Sequence, residues 1–313
     1  MGIVVLGSVF VDIKGYPLGS YIPGGRNAGR VEYVHGGVSR NIAEDVGNLG
    51  LHPAFVSLVD SSGIAHDVLS RLEEHGVSTR WIRRVPDGMG TWLAVFDNNN
   101  DVCASISRRP DLLPILDTLR ESGEDIFAHA DSVFLELDME QEIISEVFRL
   151  AARHGTPVYA AVSNMSIAME RREFFQLLSG FVCNQGEAEM LFSTAFSAGT
   201  PDGLSEQLAA CVAAARIPAM VVTLGSIGAV WADQQGRHGV CNALDVQVMD
   251  TTGAGDAFFA GVAVGLTYGK SLAASCDIGT RLAASVIRST ENTCPRFLPE
   301  EFGITLPSAQ PSD

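Results

Sequence analysis

Two glycines directly precede an aspartate in the stretch DTTGAGDAFFAGV, which begins at Asp250. The residues after it, AFFAGVAVGL, are small or apolar, as in a buried helix. Gly253, Ala254 and Gly255 are therefore expected at a helix start, where free backbone N–H groups and the helix dipole attract an anion. There Asp256 can accept a proton from a hydroxyl group as a general base. In the alternative interpretation the glycines only form a turn and Asp256 only caps the helix.

Short β-rich runs alternate with helical patterns along most of the chain. PAFVSLV and PAMVVTLG predict buried strands, and EQEIISEVFRLAARHG and SEQLAACVAAARI predict amphipathic helices. Such alternation implies an α/β fold with a mostly parallel sheet that helices cover on both faces. GIVVLGSVFVD predicts a first strand that ends at Asp12, and DVQVMD predicts a strand that ends at Asp250. We expect the site beyond the carboxyl ends of the strands, where such sheets bind ligands.

Two segments interrupt the alternation. GRVEYVHGG and GTWLAVFDNNNDVCASISRR are typical of β-ribbons, and the second turns at its three asparagines. A small sheet from about 13–35 and 89–109 beside the main sheet would suit a lid over a site. We expect residues 1–313 to form a single domain, with a frayed tail at SAQPSD.

The charge balance limits the partners of the chain. The formal net charge is −16, and no basic run occurs. These features exclude nucleic acid and anionic membranes as expected partners and leave a small molecule. The apolar N-terminal run has no basic leader and reaches Asp12 too soon for a membrane span. The six cysteines lie far apart without metal-ligand spacing, as expected of reduced thiols in a cytoplasmic protein.

The stretch from Asp250 resembles the C-terminal signature of the ribokinase-like (PfkB) carbohydrate and nucleoside kinases. Three further blocks follow the order of that family: HGGVSRNIAEDVGNLG, then NQGE after the strand FVC, and TLGSIG after a later strand. The blocks extend over nearly the whole chain. The resemblance implies a ribokinase-like three-layer α/β/α fold with a β-ribbon lid. It also implies ATP-dependent phosphorylation of a hydroxymethyl group on a nucleoside or sugar.

The resemblance also implies roles for individual residues. Asp256 resembles the catalytic base, and Gly253 to Gly255 resemble the anion hole that steadies the transferred phosphoryl group. The substrate side corresponds to Asp12, Gly36, Gly37 and Asn41, and Lys14 can reach the substrate from the lid. The nucleotide phosphates correspond to Asn184, Thr223, Gly225 and Gly228. Glu187 resembles a carboxylate that organises Mg²⁺ through water, and Asp250 and Thr252 match positions that bind K⁺ in many members.

Some residues are more specific than the general family motifs and bear on the identity of the acceptor. The GGVxRNIA form, with Arg40 next to Asn41, and Tyr16 soon after Asp12 look most like the pseudouridine kinases of this family. They favour pseudouridine as the acceptor, phosphorylated on its 5′-hydroxyl. The alternatives are a ribokinase or another sugar or nucleoside kinase of the family, and a non-catalytic sensor with the same fold. A dinucleotide-binding oxidoreductase is excluded, since no GxGxxG follows the first strand.

Two features leave alternatives open. Ala160–Ala161 stand where relatives often carry Asp-Pro, which weakens magnesium organisation or shifts it to another residue. The lid can pair with a second copy in a homodimer, as in some relatives, or have its edge covered by its own chain.

Overall fold

The structure is a computed structural model that describes residues 2–99, 101–196 and 199–306. Its strands are β1 (Gly2–Leu6), β2 (Phe10–Pro17), β3 (Gly29–Gly36), β4 (Ala54–Val59), β5 (Ile82–Arg84), β6 (Gly90–Phe96), β7 (Val102–Arg108), β8 (Ala130–Glu136), β9 (Val158–Ala161), β10 (Gly180–Asn184), β11 (Ala219–Thr223), β12 (Gly228–Asp233) and β13 (His238–Asn242). Its α-helices are α1 (Val38–Asn48), α2 (Gly63–Glu74), α3 (Pro114–Ala128), α4 (Gln141–His154), α5 (Met165–Ala168), α6 (Gln185–Phe192), α7 (Pro201–Ala215), α8 (Ala254–Thr267) and α9 (Leu272–Ile287). Short 3₁₀ segments cover Met169–Leu177, Gly225–Ile227 and Pro299–Phe302.

A nine-stranded sheet forms the centre of the fold, in the order β13-β12-β11-β10-β9-β8-β1-β4-β5. Neighbouring strands from β5 to β11 pair in parallel. Strand β12 pairs antiparallel with both β11 and β13. The mostly parallel sheet predicted from the sequence is therefore confirmed.

Alternate residues of the central strands enter two different hydrophobic cores. In β1, Val4 and Leu6 pack with α3, α4 and α7, whereas Ile3 and Val5 pack with α1, α2, α8 and α9. This alternation follows from the two-residue period of a strand. Each face of the sheet is covered by helices, as expected of a three-layer α/β/α fold.

A four-stranded sheet, called the small sheet below, consists of β3-β2-β6-β7 in that order. The strand pairs β2/β3 and β6/β7 are antiparallel, and β2 pairs with β6 in parallel. The two predicted ribbons are confirmed with nearly their expected bounds. Asn100 at the turn between β6 and β7, like the predicted tail at SAQPSD, lies outside the described residues.

Two strand predictions are wrong. The first strand ends at Leu6, and Asp12 lies inside β2 of the small sheet. The chain leaves the central sheet because Ser8 N–H donates to the Glu136 carboxylate at 2.9 Å instead of to a neighbouring strand. The segment DVQVMD forms no strand: residues 243–250 run as irregular chain after β13. Its alternating pattern reflects a cavity wall, described below, and not a position in a sheet.

Candidate active site

The start of α8 has the geometry of an anion site. Gly253 is the N-cap residue in a left-handed conformation, with φ of 81°, and a Cβ there would overlap the carbonyl oxygen of Asn292. Only glycine fits such a position without strain. Since first-turn N–H groups lack intrahelical partners, those of Gly255 and Asp256 are available to an anion. Because Gly253 is the cap, the alternative that Asp256 merely caps the helix is wrong.

Asp256 contacts a residue 215 positions earlier in the chain. Asn41 Nδ2 donates to Asp256 Oδ2 at 2.7 Å, where α1 packs against α8. The amide oxygen of Asn41 is buried and has no partner within the described part of the chain. A buried acceptor without a donor is costly, so a ligand hydroxyl that donates to Asn41 Oδ1 would complete the pair. The fold thus joins two residues that the sequence assigned to separate motifs.

The di-glycine motif brings Asp12 to the same place. Gly37 caps α1 with φ of 99°, and a Cβ there would lie 2.9 Å from the Phe10 backbone nitrogen. A Cβ on Gly36 would lie 2.9 Å from both carboxylate oxygens of Asp12. Burial raises the pKa of Asp12, and the positive charge of Lys14 opposes that rise. Because Gly36 lacks a side chain, the Asp12 carboxylate can pack directly against the backbone of the di-glycine motif.

A buried carboxylate missed in the sequence lies beneath this group. Glu136, at the end of β8, accepts hydrogen bonds from Ser8 N, Ser8 Oγ and Ser39 Oγ at 2.9–3.0 Å. Burial, followed by the charge of Asp138, raises the pKa of Glu136. The signal was an acid at the carboxyl end of the apolar run SVFLE, the edge at which ligands bind in such sheets.

The acidity of Asp256 suits a proton acceptor near neutral pH. Burial raises the pKa of Asp256 to about 7. The hydrogen bond from Asn41 opposes this rise, and the negative charge of Glu136 adds to it. A base whose pKa lies near the working pH combines a sufficient ionised fraction with proton affinity.

This pKa predicts the pH dependence of any reaction that uses Asp256 as a base. The carboxyl group is protonated below about pH 7, so we expect kcat/KM to fall about tenfold per pH unit below that value. The measurement is kcat/KM for the hydroxyl-bearing acceptor from pH 5 to 9, at a saturating concentration of the phosphoryl donor. A profile that stays flat down to pH 5 would show that no group with this pKa acts as the base.

A cavity of about 460 Å³ opens beside the start of α8. It brings together the predicted residues Thr223, Gly225 and Gly228 with Ala254 and Gly255. Its remaining walls come from the 3₁₀ segment Gly225–Ile227, the irregular segment between β13 and α8, and from α8 and α9: Ser226, Ala243, Leu244, Asp245, Val246, Val248, Thr251, Phe258, Thr280, Ala283, Ala284 and Ile287. The size and the partly apolar lining suit a small organic ligand that places an anionic group at the helix start.

Asn184 and Glu187 do not line this cavity. They form a capping box at the start of α6, in which Asn184 Oδ1 accepts from Glu187 N and Glu187 Oε2 accepts from Asn184 N at 2.8–2.9 Å. Burial raises the pKa of Glu187, and the charge of Asp138 contributes. The described residues contain no group of three or more acidic, histidine or cysteine side chains arranged to hold a metal ion.

Ala160–Ala161 complete the buried strand β9 and offer no side-chain oxygen. Asp138, two residues after the neighbouring strand β8, lies at the same edge of the central sheet. Asp138 Oδ2 accepts from Arg109 Nη1 and Ser163 Oγ at 2.8 Å, and Oδ1 accepts from Ser163 N at 2.9 Å. The structure thus places Asp138 against Ser163, two residues after β9. Arg109, which follows β7, joins Asp138 to the end of the small sheet.

The segment after α9 holds the two halves of the site together. Asn292 approaches Gly253 on one side and donates through Nδ2 to the His35 carbonyl at 2.7 Å on the other. Cys294 N donates to Asp45 Oδ1 at 2.6 Å, and Asn48 Nδ2 donates to the Cys294 carbonyl at 2.7 Å. The helices that carry Asn41 and Asp256 are therefore joined through residues 292–294.

These features define a phosphotransferase that acts on a hydroxyl group of a small molecule. A buried carboxylate lies next to a helix start with free N–H groups, and a cavity adjoins that helix start, which is the combination that transfer of a phosphoryl group to a hydroxyl requires. None of the helices in the described ranges has the length and apolar character needed to cross a membrane.

Comparisons with known proteins identify the family. Residues 2–296 match the pfkB family of carbohydrate kinases, and the chain belongs to that family. It is 32% identical over 292 residues to the guanosine-inosine kinase of Exiguobacterium acetylicum, covering 93% of this chain and 95% of that protein. It is 26% identical over 263 residues to the pseudouridine kinase of Escherichia coli (strain K12), covering 83% and 82%. The structure of Arabidopsis thaliana ribokinase complexed with ribose and ATP superposes with a TM-score of 0.81 at 20% identity, over 96% and 98% of the chains.

Proposed function

We propose that this protein is an ATP-dependent nucleoside kinase that phosphorylates a hydroxymethyl group. The observation that carries the proposal is the contact of Asn41 with Asp256 beside the helix start that lines the cavity. Similarity to the guanosine-inosine kinase and the pseudouridine kinase supports a nucleoside as the acceptor.

The mechanism follows from the positions of these groups. Asp12 and Asn41 hold acceptor hydroxyls, and Asp256 takes the proton of the hydroxyl that attacks the γ-phosphorus of ATP. As the new O–P bond forms, the bond from the γ-phosphorus to the bridging oxygen breaks and ADP leaves. The N–H groups at Gly255 and Asp256 stabilise the charge that develops on the transferred group. Thr223, Gly225 and Gly228 contact the donor nucleotide in the cavity.

Glu187 is the residue we assign to Mg²⁺, through water. Its carboxylate is a hard oxygen ligand near the acid Asp138, and one of its oxygens is taken by the capping box. Magnesium, when bound, would neutralise charge on the phosphate oxygens. For K⁺ we assign Asp250 and Thr252, where Asp250 Oδ1 accepts from Thr252 N at 2.8 Å.

Two nucleosides are the leading candidates for the acceptor. The GGVxRNIA form supports pseudouridine. The higher identity to the guanosine-inosine kinase, 32% against 26%, supports a purine nucleoside. Six unpaired cysteines support placement of the protein in the reducing cytoplasm.

The deciding experiment measures ADP release from ATP with Mg²⁺ and K⁺ against guanosine, inosine, pseudouridine, uridine, ribose and fructose. We expect turnover with one of the first three. Turnover with a free sugar alone would keep the mechanism and refute the nucleoside assignment. Ligand-induced thermal stabilisation without turnover on any acceptor would establish the sensor alternative.

We further propose that the small sheet pairs with that of a second copy. One of its faces exposes the apolar side chains of Val31, Tyr33, Leu93 and Ile106, of which Ile106 is 69% exposed. An exposed apolar group of this kind marks an interaction surface. Light scattering is expected to give a dimer that Ile106→Asp converts to a monomer. Leu177→Asp, at an exposed residue of another element, is expected to stay dimeric; a monomeric wild type would refute the proposal.

A further inference from the structure

Four aromatic side chains cluster on one face of the small sheet. Tyr16 stacks on Phe96 with ring centroids 4.7 Å apart, and Trp92 meets Phe96 edge-on at 6.4 Å. The ring of Phe10 lies over Gly90, where a Cβ would overlap it. Such a face offers flat apolar area for stacking, in addition to the polar partners that hydroxyl groups require.

This face is the one that carries Asp12. In the sheet register Asp12 lies opposite Trp92, and Lys14 lies opposite Ala94. Residues opposite each other on neighbouring strands point to the same side, as do residues two apart on one strand. The four aromatic side chains therefore share the face of Asp12, and Leu93 points to the other.

The Asp12 face looks towards the reacting groups. The charge of Asp12 acts on Asp256, and the charge of Lys14 acts on Asp250. The Asp12 carboxylate also lies against Gly36 of the di-glycine motif. A ligand whose hydroxyls are held at Asp12 and Asn41 therefore has Trp92 as its neighbour on the adjoining strand.

Among Tyr16, Phe96 and Trp92, only the Trp92 ring has no stacked ring or guanidinium against it within the described residues. Tyr16 is covered on one side by Phe96 and contacts the guanidinium of Arg30, 4.5 Å from its ring centroid. Tyr16, which in the sequence favoured pseudouridine as the acceptor, thus packs inside the small sheet. Trp92 is half-buried and touches another aromatic ring only by an edge contact, at 87°, among the described residues.

We propose that Trp92 is the platform on which the planar base of the acceptor nucleoside stacks, with Tyr16 and Phe96 holding it in place. The inference rests on the proposed nucleoside kinase function and identifies the side chain of that site that contacts the base. Aromatic rings stack on any base, because every base has a π-face. Trp92 therefore distinguishes a nucleoside from a free sugar, and polar groups around the base distinguish one nucleoside from another.

The test compares KM values for a nucleoside and for ribose in Trp92 variants. With Trp92→Ala we expect KM for the best nucleoside to rise roughly 10- to 100-fold, as stacking on an aromatic ring requires. KM for ATP and the inhibition constant of ribose should stay unchanged, and Trp92→Phe should recover most of the nucleoside affinity. Leu177→Ala, at an exposed residue outside the small sheet, is the control and should behave as wild type.

Binding without ATP separates this inference from the proposed function. Tryptophan fluorescence of the wild type should be quenched by the nucleoside, a signal that Trp92→Phe removes and Trp81→Phe retains. Quenching without turnover on any acceptor would reject the kinase function and keep the platform. An unchanged KM in Trp92→Ala, or an equal loss of affinity for nucleoside and ribose, would overturn the platform and leave the kinase function standing.

Discussion

Replacing Asp256 with asparagine is expected to lower kcat by at least about 100-fold, the contribution of a general base. The amide keeps the size of the side chain and its contact with Asn41 but cannot take the acceptor proton. KM for both substrates should therefore change little, as expected when only the transition state loses an interaction. The measurement is steady-state kinetics at pH 8, where Asp256 is ionised.

Asp202→Asn is the matched control for this variant. Asp202 also lies in the first turn of a helix, α7, but it is exposed and lines no part of the cavity. Its replacement should leave kcat unchanged. Normal turnover by Asp256→Asn would assign the base to another group.

The same variant should also gain stability. The pKa of Asp256 is raised in the folded protein to about 7 from the ordinary aspartate value of 3.8, so folding becomes less favourable as pH rises through that window. At pH 8 the folded state holds a charge that burial disfavours, and asparagine removes it. We expect a higher Tm for Asp256→Asn than for the wild type at pH 8 and a smaller difference at pH 4. The site thus gives up stability for reactivity.

Glu44→Ala is expected to lower the free energy of unfolding by about 3–5 kcal/mol, the effect of removing one partner from a buried ion pair. Glu44 is 0% exposed at its side chain and accepts from Arg40 Nη1 at 3.0 Å and from Arg71 Nη2 at 2.8 Å. Thr293 Oγ1 donates to it at 2.7 Å. Arg40 is itself 1% exposed, so its charge would stay buried without a counter-charge.

Glu291→Ala is the control, because Glu291 belongs to the same network of ion pairs. Glu291 also pairs with Arg71 at 2.8 Å, but it is 59% exposed. An exposed pair contributes at most about 1 kcal/mol, so this variant should unfold close to the wild type in urea. Equal losses for the two variants would mean that burial does not set the energy of this network.

The position of Arg40 shows what a motif alone cannot convey. In the sequence, Arg40 marked a subfamily and suggested a particular acceptor. In the structure its guanidinium is buried between Glu44 and the carbonyl of His35, to which Nη2 donates at 2.7 Å. These contacts are structural, because they hold the end of β3, which carries His35, against α1. Residue identity next to a site is therefore weak evidence for substrate contact.

Periodicity predicted the layers of this fold because strands and helices bury alternate faces at fixed intervals. Periodicity gave a wrong prediction where a polar contact, and not hydrophobic burial, decides the path of the chain. Ser8 binds Glu136, so one apparent strand divides and Asp12 joins a different sheet. Likewise, Val246 and Val248 alternate as in a strand, but both face a cavity. Glu136 was missed because an acid within an apolar run shows no partner until distant serines are placed beside it.

The contact of Asn292 with Gly253 also bears on biosynthesis. A ribosome makes Asn41 and Asp256 well before residues 292–294, which join their helices through Asp45, Asn48 and His35. A nascent chain that stops short of Asn292 carries Asn41 and Asp256 but lacks the segment that joins their helices. That link forms only when translation has passed residues 292–294.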